Sequence, residues 1–213
     1  MKVLLIGAGS KWGLIFTKYI KDQGHEVDLV TSKVLSLEGV DSYKISWNNL
    51  NTEEVKNIAV WINSKQTEYD LIFFNHNSYT GVNENTFKNN SALPDLNSWN
   101  QAYFNHCQMP VLLLKLIGNS IKNETKVGWM ITGMVNKRQP EQFQHGLYAS
   151  AKHTNQSIMR LFNLHQHKGI FFVIDPIWFE PGGEMRDARS ILNVINKIDG
   201  GGHCWSKDGH KLA

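Results

Sequence analysis

The first 24 residues combine three features whose order restricts the fold more than any other part of the chain. Residues 1–6 form a short apolar run, which suits a buried parallel strand and is too short to span a membrane. A glycine-rich turn at 7–13 follows, and 14–23 has the apolar spacing of an amphipathic helix that Gly24 ends. A strand, a glycine turn and a helix in this order predict the start of a nucleotide-binding α/β domain.

The turn itself has the composition of a phosphate-binding loop. Glycines at a strand-to-helix turn let backbone amides approach a pyrophosphate, and the helix N-terminus adds partial positive charge. The spacing of Gly7, Gly9 and Gly13 is Gly-x-Gly-x-x-x-Gly, which differs from the simplest dinucleotide fingerprint. The alternative is a glycine-rich turn without a ligand. The order of strand, turn and helix favours a nucleotide site.

Strands and helices alternate along the rest of the chain. Further strands are predicted at 26–31, 43–47, 70–74, 127–132, 169–175 and 203–206. Further helices are predicted at 51–64, 96–121, 148–165 and 190–198. Pro110 should kink the long helix at 96–121 or mark the junction of two segments. The alternation predicts a single-domain, three-layer Rossmann fold over all 213 residues, in which helices cover both faces of a mostly parallel, doubly wound sheet.

Composition excludes several classes of function. The hydrophobic fraction is ordinary and the net charge is only +3, without a basic run, so we expect neither disorder nor a nucleic-acid partner. The apolar N-terminal run is short and no cleavage site follows it, so we expect a strand there rather than a signal peptide, and no membrane partner. Cys107 and Cys204 belong to no Cys-x-x-Cys motif, which favours reduced thiols in a cytoplasmic protein. His76, His106 and His153 lack ligand partners at metal-site spacing, as does His145, and are expected to be surface or hydrogen-bonded residues.

Tyr148 and Lys152 form a candidate proton-transfer pair. Residues four apart lie on one face of a helix, where their side chains can meet. An ammonium beside a phenol stabilises the phenolate and lowers its pKa from about 10. Tyr148 is therefore a candidate general acid/base, and Lys152 is the group that tunes it.

With these motifs in order, the chain resembles the short-chain dehydrogenase/reductase family over nearly its whole length. Residues 8–15 look like the family's Thr-Gly-x-x-x-Gly-x-Gly turn, with Ala8 for Thr and Ile15 for the last Gly. Residues 74–77 stand where the family has Asn-Asn-Ala-Gly, and 175–178 stand where Pro-Gly follows the sixth strand. Tyr148-Ala-Ser-Ala-Lys152 matches the family's Tyr-x-x-x-Lys.

The resemblance implies a set of catalytic roles. Tyr148 would donate the proton, Lys152 would lower the Tyr148 pKa and hold the nicotinamide ribose, and Asn105 would anchor a proton-relay water. The chain departs from the family where an active-site Ser closes the fifth strand. Thr132 is the candidate stand-in that polarises the carbonyl, whereas simple alignment puts Gly133 in that position.

The end of the second strand indicates the cofactor. An acidic residue there would favour NAD, but Asp28 lies too early in the strand and Thr31, Ser32 and Lys33 follow it. Ser32, Lys33 and Lys11 offer hydrogen bonds and positive charge to a 2'-phosphate, so we expect NADP rather than NAD. The predicted cofactor-binding residues are Gly7, Gly9, Ser10, Lys11, Trp12, Gly13, Leu14, Thr31, Ser32, Lys33, Asn75, His76, Asn77, Tyr148, Lys152, Pro176 and Ile177.

The predicted function is an NADP(H)-dependent oxidoreductase that moves hydride to or from a small carbonyl or alcohol substrate. The missing Ser leaves a second hypothesis open, a non-catalytic dinucleotide-binding protein with a redox-sensing or structural role. An epimerase or dehydratase of the extended branch is a third hypothesis, and the short C-terminal part leaves it little room. The resemblance also implies that the two long helices pack against their copies in a homodimer or homotetramer.

Overall fold

The computed structural model describes residues 1–33, 37–76, 96–131, 146–165, 167–176 and 182–212. Within these ranges, the side chains of residues 98 and 146–149 are outside the description. Asn77, Thr132, Gly133, His145 and Ile177 therefore lie outside the described residues, as does the side chain of Tyr148. The predictions made for them remain predictions.

The described strands form one parallel sheet. They are β1 (Lys2–Ile6), β2 (Glu26–Thr31), β3 (Asp41–Lys44), β4 (Tyr69–Phe74), β5 (Ile121–Met130), β6 (Ile170–Asp175) and β7 (His203–Ser206). Their order across the sheet is β3-β2-β1-β4-β5-β6-β7, and each neighbouring pair is parallel. The order reverses at β1, which is the topological switch of a doubly wound fold. The predicted fold class is confirmed.

Helices cover both faces of this sheet. They are α1 (Lys11–Asp22), α2 (Thr52–Ser64), α3 (Leu96–Tyr103), α4 (Met109–Leu116), α5 (Gly146–Leu164) and α6 (Glu184–Lys197). Phe16 of α1 and Ile191 of α6 belong to one apolar core, on one face of the sheet. Ile58 of α2, Leu113 of α4 and Met159 of α5 belong to the other.

The predicted long helix at 96–121 is divided. A π-helical turn (Phe104–Gln108) separates α3 from α4, and a 3₁₀ turn (Gly118–Ser120) follows α4. Pro110 lies in the first turn of α4, where its missing N–H costs little. The interruption that Pro110 predicted is therefore present, and its form is a π turn just before the proline.

Three other predicted boundaries are wrong. The strand predicted at 43–47 is Asp41–Lys44, because a 3₁₀ turn begins at Trp47. The strand predicted at 127–132 begins earlier, at Ile121. Thr125 Oγ1 in this added segment donates to the Tyr69 carbonyl (2.6 Å), next to a shift in the register between β4 and β5. The helix predicted at 190–198 begins at Glu184, because acidic residues in the first turn stabilise a helix N-terminus.

Candidate active site

The glycine turn joins β1 to α1 at the carboxyl edge of the sheet. Gly7 has φ +97°, and a Cβ there would lie 2.2 Å from Cα of His76. A Cβ at Gly13 would lie 2.9 Å from Cα of Ala8. Only glycine lets the turn pack this closely against the end of β4 and against α1.

The N-terminus of α1 faces this turn. Ser10 is its N-cap, and the Gly13 amide donates to Ser10 Oγ (3.0 Å). Leu14 is half-buried. Trp12 is buried and stacks on Phe16 with ring centroids 4.7 Å apart. Its side chain therefore belongs to the core, and only its main chain could take part in the predicted binding.

Gly9 brings the turn against the end of β2. A Cβ at Gly9 would lie 3.0 Å from Ser32 Oγ and 3.2 Å from Thr31 Oγ1. Thr31 is buried, Ser32 is half-buried and Lys33 is exposed. The narrow space over Gly9 is a cradle that any side chain would fill, which fits close approach of a dinucleotide to the backbone.

Asp28 does not belong to this edge. The Tyr69 hydroxyl donates to its carboxylate (2.8 Å), and Lys2 forms an ion pair with it at 3.2 Å. Burial, followed by the Asp28 contact, raises the pKa of Tyr69 above its ordinary value. Asp28 therefore lies within β2 and before its carboxyl end, as the sequence indicates, and the absence of an acidic ribose ligand remains a prediction.

Lys11 forms an ion pair that the sequence does not predict. Its ammonium lies 2.6 Å from Glu184 Oε1, at the start of α6. The Lys11 side chain is 77% exposed, whereas the Glu184 side chain is 16% exposed. The hydrogen bond from Lys11 lowers the pKa of Glu184. An anion bound at Lys11 would therefore compete with this carboxylate.

Asn75 links the ends of β1 and β4. Its backbone N–H donates to the Ile6 carbonyl (2.7 Å), and its side-chain Nδ2 donates to the Gly7 carbonyl (3.3 Å). Asn75 is 1% exposed, and its Oδ1 has no partner among the described residues. A buried acceptor next to the glycine turn is available to a ligand.

The π turn places three consecutive residues in the interior. Asn105, His106 and Cys107 are all buried, although successive residues of an α-helix point about 100° apart. Asn105 Nδ2 donates to the Trp47 carbonyl (3.0 Å), and Gln101 Nε2 donates to Asn105 Oδ1 (2.8 Å). The Asn105 side chain thereby ties the π turn to the 3₁₀ turn at Trp47–Asn49. Insertions of this kind occur often at functional sites.

His76 lies in a column of three stacked rings. Its ring centroid is 4.9 Å from that of Trp47 and 4.7 Å from that of His106, with interplanar angles of 16° and 6°. His76 is not a surface residue, because its ring is buried, and within the described ranges neither ring nitrogen has a hydrogen-bond partner of normal geometry. His153 is exposed, as expected for a surface residue. No group of three metal-ligating side chains occurs within the described residues.

Lys152 lies at the end of β5. Its side chain is buried, and its Nζ donates to the Met130 carbonyl (2.8 Å). Burial lowers the pKa of Lys152 to about 7, and the neighbouring Cys107 opposes that shift. Burial raises the pKa of the Cys107 thiol to about 11, and this thiol donates to the Ala151 carbonyl (3.1 Å). Cys107 and Cys204 are both free.

The helical position of Tyr148 is as expected, one turn before Lys152 on α5. Contact between the two side chains remains a prediction. Pro176 is buried directly after β6.

The structure thus brings the glycine turn, Asn75, His76, Asn105 and Lys152 to neighbouring parts of one sheet edge. Sequence reasoning missed Gln101, Trp47 and Glu184, whose roles arise from contacts with residues distant in the chain.

The sequence matches no family model and no curated protein. Its fold is similar to that of a carbonyl reductase from Pseudomonas aeruginosa in complex with NADP, with a TM-score of 0.77 and 15% identity over 99% of this chain and 98% of that one. A candidate short-chain dehydrogenase/reductase from Burkholderia multivorans with bound NADP matches with a TM-score of 0.73 and 15% identity, over 99% of this chain and 98% of that one. A short-chain dehydrogenase from Shigella flexneri matches with a TM-score of 0.72 and 12% identity, over 97% of this chain and 90% of that one.

These likenesses show that the chain has the fold of the short-chain dehydrogenases and reductases. They extend over nearly the whole of both chains, as the sequence motifs implied. Over the part of the chain that the structure describes, no helix has both the length and the apolar character needed to cross a bilayer.

Proposed function

We propose that this chain is a short-chain dehydrogenase/reductase that moves hydride between NADP(H) and a small carbonyl or alcohol substrate. The observation that carries the proposal is the position of Lys152. Its amine is buried at the end of β5, one helical turn from Tyr148 and at the same sheet edge as the glycine turn. Two solved structures of the same fold contain NADP, which supports this choice of cofactor.

The residues present fit a dinucleotide. The cradle over Gly9 offers close approach to the backbone, and the N-terminus of α1 offers positive potential. Oδ1 of Asn75, which has no partner among the described residues, offers a hydrogen-bond acceptor. Ser32 and Lys33 at the end of β2 would favour the 2'-phosphate of NADP, because no acidic side chain stands there. Lys11 would join them when a phosphate displaces Glu184.

A nicotinamide dinucleotide bound here supplies or accepts the hydride. Tyr148 would donate the proton to the carbonyl oxygen, and Lys152 would restore that proton. With a pKa of about 7, the Lys152 amine can release and regain a proton near neutral pH, which is the property that proton transfer needs. Thr132 would polarise the carbonyl in place of the missing Ser.

Exposed apolar side chains support self-association. Leu96 and Trp99 on α3 and Leu161 and Leu164 on α5 are 74%, 38%, 55% and 72% exposed. Apolar surface of this kind on neighbouring elements is typical of an interface. A homodimer or homotetramer formed through these helices is therefore part of the proposal, and sedimentation velocity of the full chain would measure it.

Cofactor binding and turnover together test the proposal. The protein is titrated with NADPH and NADH by fluorescence, and cofactor absorbance is then followed with a panel of ketones, aldehydes and quinones. We expect NADPH to bind more tightly than NADH, and we expect turnover that Tyr148→Phe removes although the variant still binds NADPH. Binding without turnover would favour the non-catalytic dinucleotide-binding protein that the missing Ser leaves open. Failure to bind either dinucleotide would contradict both functions.

A further inference from the structure

The first turn of α6 carries two carboxylates, each paired with a lysine from another part of the chain. Glu184 Oε1 lies 2.6 Å from Lys11 Nζ, next to the glycine turn. Asp187 Oδ1 lies 2.9 Å from Lys207 Nζ, directly after β7. The two acids are three residues apart and therefore lie on one face of the helix. The start of α6 thus connects the glycine turn with the end of β7.

The two ion pairs differ in their exposure to solvent. The Lys207 and Asp187 side chains are 10% and 3% exposed, whereas the Lys11 side chain is mostly exposed. Water and salt weaken an exposed pair, so Lys11 can exchange Glu184 for a bound anion. A buried pair is screened much less. The pair of Lys207 with Asp187 is therefore the fixed contact of α6, and the pair of Lys11 with Glu184 is the exchangeable one.

The sheet holds Lys207 in place. The Lys207 backbone N–H donates to the Asp175 carbonyl (3.1 Å) at the end of β6, and the preceding residue, Ser206, pairs with Asp175 in the sheet. On the helix, the Asp187 backbone N–H donates to the Gly183 carbonyl (2.9 Å) and closes the first turn of α6. A continuous series of contacts therefore runs from the end of β6 through Lys207 to the start of α6.

Stability alone does not explain the buried pair. Taking both charges out of water offsets much of their attraction, and an apolar pair of similar size often serves a fold as well. Asp187 Oδ2 also has no hydrogen-bond partner among the described residues, which adds to the cost of burying this carboxylate. An ion pair that contributes little to stability can still fix one arrangement of the elements that it joins. The arrangement fixed here is the position of the first turn of α6.

We propose that Lys207 and Asp187 are positioning residues that limit NADPH affinity by holding Glu184 on Lys11. The inference rests on the proposed function. The buried pair fixes the first turn of α6, so the Glu184 carboxylate stays beside Lys11 and competes with a cofactor phosphate. Without the buried pair, this turn would occupy several positions and Glu184 would contact Lys11 for less of the time. Lys207 and Asp187 themselves act only through Glu184.

The first test needs no cofactor. Protein labelled with ¹³C-glutamate is titrated by NMR, and the Glu184 signal is assigned by its loss in Glu184→Gln. The hydrogen bond from Lys11 lowers the pKa of Glu184 in the wild type. The double variant Lys207→Met with Asp187→Asn removes one charge of each sign, so the net charge stays the same. The pKa of Glu184 should rise in this variant, and an unchanged pKa would overturn the inference.

Lys126→Met is the matched control for the NMR titration. Lys126 Nζ donates to the carbonyls of Ile195 (2.7 Å) and Asn196 (3.1 Å), at the opposite end of α6. The variant therefore removes a lysine contact from the same helix without touching its first turn. The pKa of Glu184 should stay at the wild-type value in Lys126→Met. A rise equal to that of the double variant would overturn the inference, because any loosening of α6 would then have the same effect.

The second test is a mutant cycle measured by fluorescence titration with NADPH. The double variant should lower the NADPH Kd by roughly two-fold, within the range expected of an exposed ion pair. In a chain that already carries Glu184→Gln, the same two substitutions should have no further effect, because the competing carboxylate is gone. A merely structural role would change the Kd equally in both backgrounds. That result, or a Kd in the double variant that is unchanged or higher, would overturn the inference.

The two tests separate this inference from the proposed function. Failure of the wild type to bind either dinucleotide would overturn the proposed function, and the control of cofactor affinity with it. NADPH binding without the coupling to Glu184 would overturn this inference alone. If the double variant does not fold, Asp187→Asn alone takes its place, because asparagine keeps the size of the side chain. Removal of that negative charge by itself lowers the pKa of Glu184, so a rise still supports the inference and its absence overturns it.

Discussion

The amine of Lys152 lies 2.8 Å from the carbonyl oxygen of Met130, within the interior of the protein. Burial in the interior disfavours the charged ammonium more than the uncharged amine, and it lowers the pKa of Lys152 to about 7. This contact places a group that titrates near neutrality at the end of β5. Both the proposed chemistry and the stability of the fold should therefore depend on pH around that value.

Lys152→Met should remove a pH-dependent part of the stability. Between pH 7 and the ordinary lysine pKa of 10.5, the unfolded chain binds a proton at Lys152 that the folded protein does not. Because the unfolded state binds more protons there, the unfolding free energy rises with pH, by up to about 1.4 kcal/mol per pH unit. Below pH 7 both states are charged, and the wild type bears the full cost of burying the ammonium.

Urea denaturation of both proteins at pH 6, 7, 8 and 9 measures this difference. The range stops at pH 9 because Cys107 and Cys204, whose pKa values are raised to about 11 by burial, contribute with the opposite sign at higher pH. The wild type should gain stability relative to Lys152→Met from pH 7 to 9. Parallel curves for the two proteins would show that Lys152 is not buried as an amine.

Gly7→Ala should destabilise the folded protein far more than Gly24→Ala does. Both glycines have positive φ, +97° and +78°, so alanine costs each about 1 kcal/mol of backbone strain. At Gly7 the new Cβ would also lie 2.2 Å from Cα of His76, whereas at Gly24 it would meet nothing within 4 Å. In thermal unfolding, the melting temperature should fall slightly for Gly24→Ala and severely for Gly7→Ala. Equal falls in melting temperature would contradict the close packing of the turn on β4.

The sequence predicts the architecture well because the pattern of apolar residues reports burial. The strands at 26–31 and 203–206 agree with β2 (Glu26–Thr31) and β7 (His203–Ser206), since each is a compact run bounded by glycine or polar residues. Periodicity fails where it is interrupted. The π turn at Phe104–Gln108 inserts a residue into the helical repeat, so no single period describes residues 96–116.

The site is harder to predict than the fold because its contacts join distant segments. The motifs indicate Gly7, Asn105 and Lys152, but nothing in the local sequence shows that Trp47 stacks on His76. The burial of Lys152 is likewise a property of packing between α5 and the end of β5. The ion pair of Lys11 with Glu184 depends on how α6 returns to α1, which the motif order does not specify.

Asn105→Ala should destabilise the π turn more than Gln101→Ala does. Asn105 is fully buried, and its removal leaves the Trp47 carbonyl without its 3.0 Å donor, at a cost of about 1–3 kcal/mol. Gln101 is only half-buried, so water can replace its hydrogen bonds to Leu50 and Asn105. Urea denaturation measures both losses. A larger loss for Gln101→Ala would contradict the role of Asn105 as the link between the two turns.

Glu184→Gln should strengthen NADPH binding. The change removes the carboxylate that holds the Lys11 ammonium at 2.6 Å, so this cation becomes available to a cofactor phosphate. Because the pair is largely exposed on the Lys11 side, we expect the NADPH Kd to fall by up to about five-fold, and less at high salt. Fluorescence titration at two salt concentrations measures the effect.

Glu26→Gln provides the matched control for this experiment. Glu26 pairs with Lys2 at 3.3 Å, at the opposite end of the strands from the glycine turn, so its loss should leave NADPH affinity unchanged. Titration with NADH identifies the phosphate that Lys11 binds. A gain for NADPH alone indicates the 2'-phosphate, because NADH lacks that group, whereas equal gains indicate the pyrophosphate. Unchanged affinity for both cofactors in Glu184→Gln would mean that Lys11 does not contact the cofactor and that Ser32 and Lys33 alone must favour NADP.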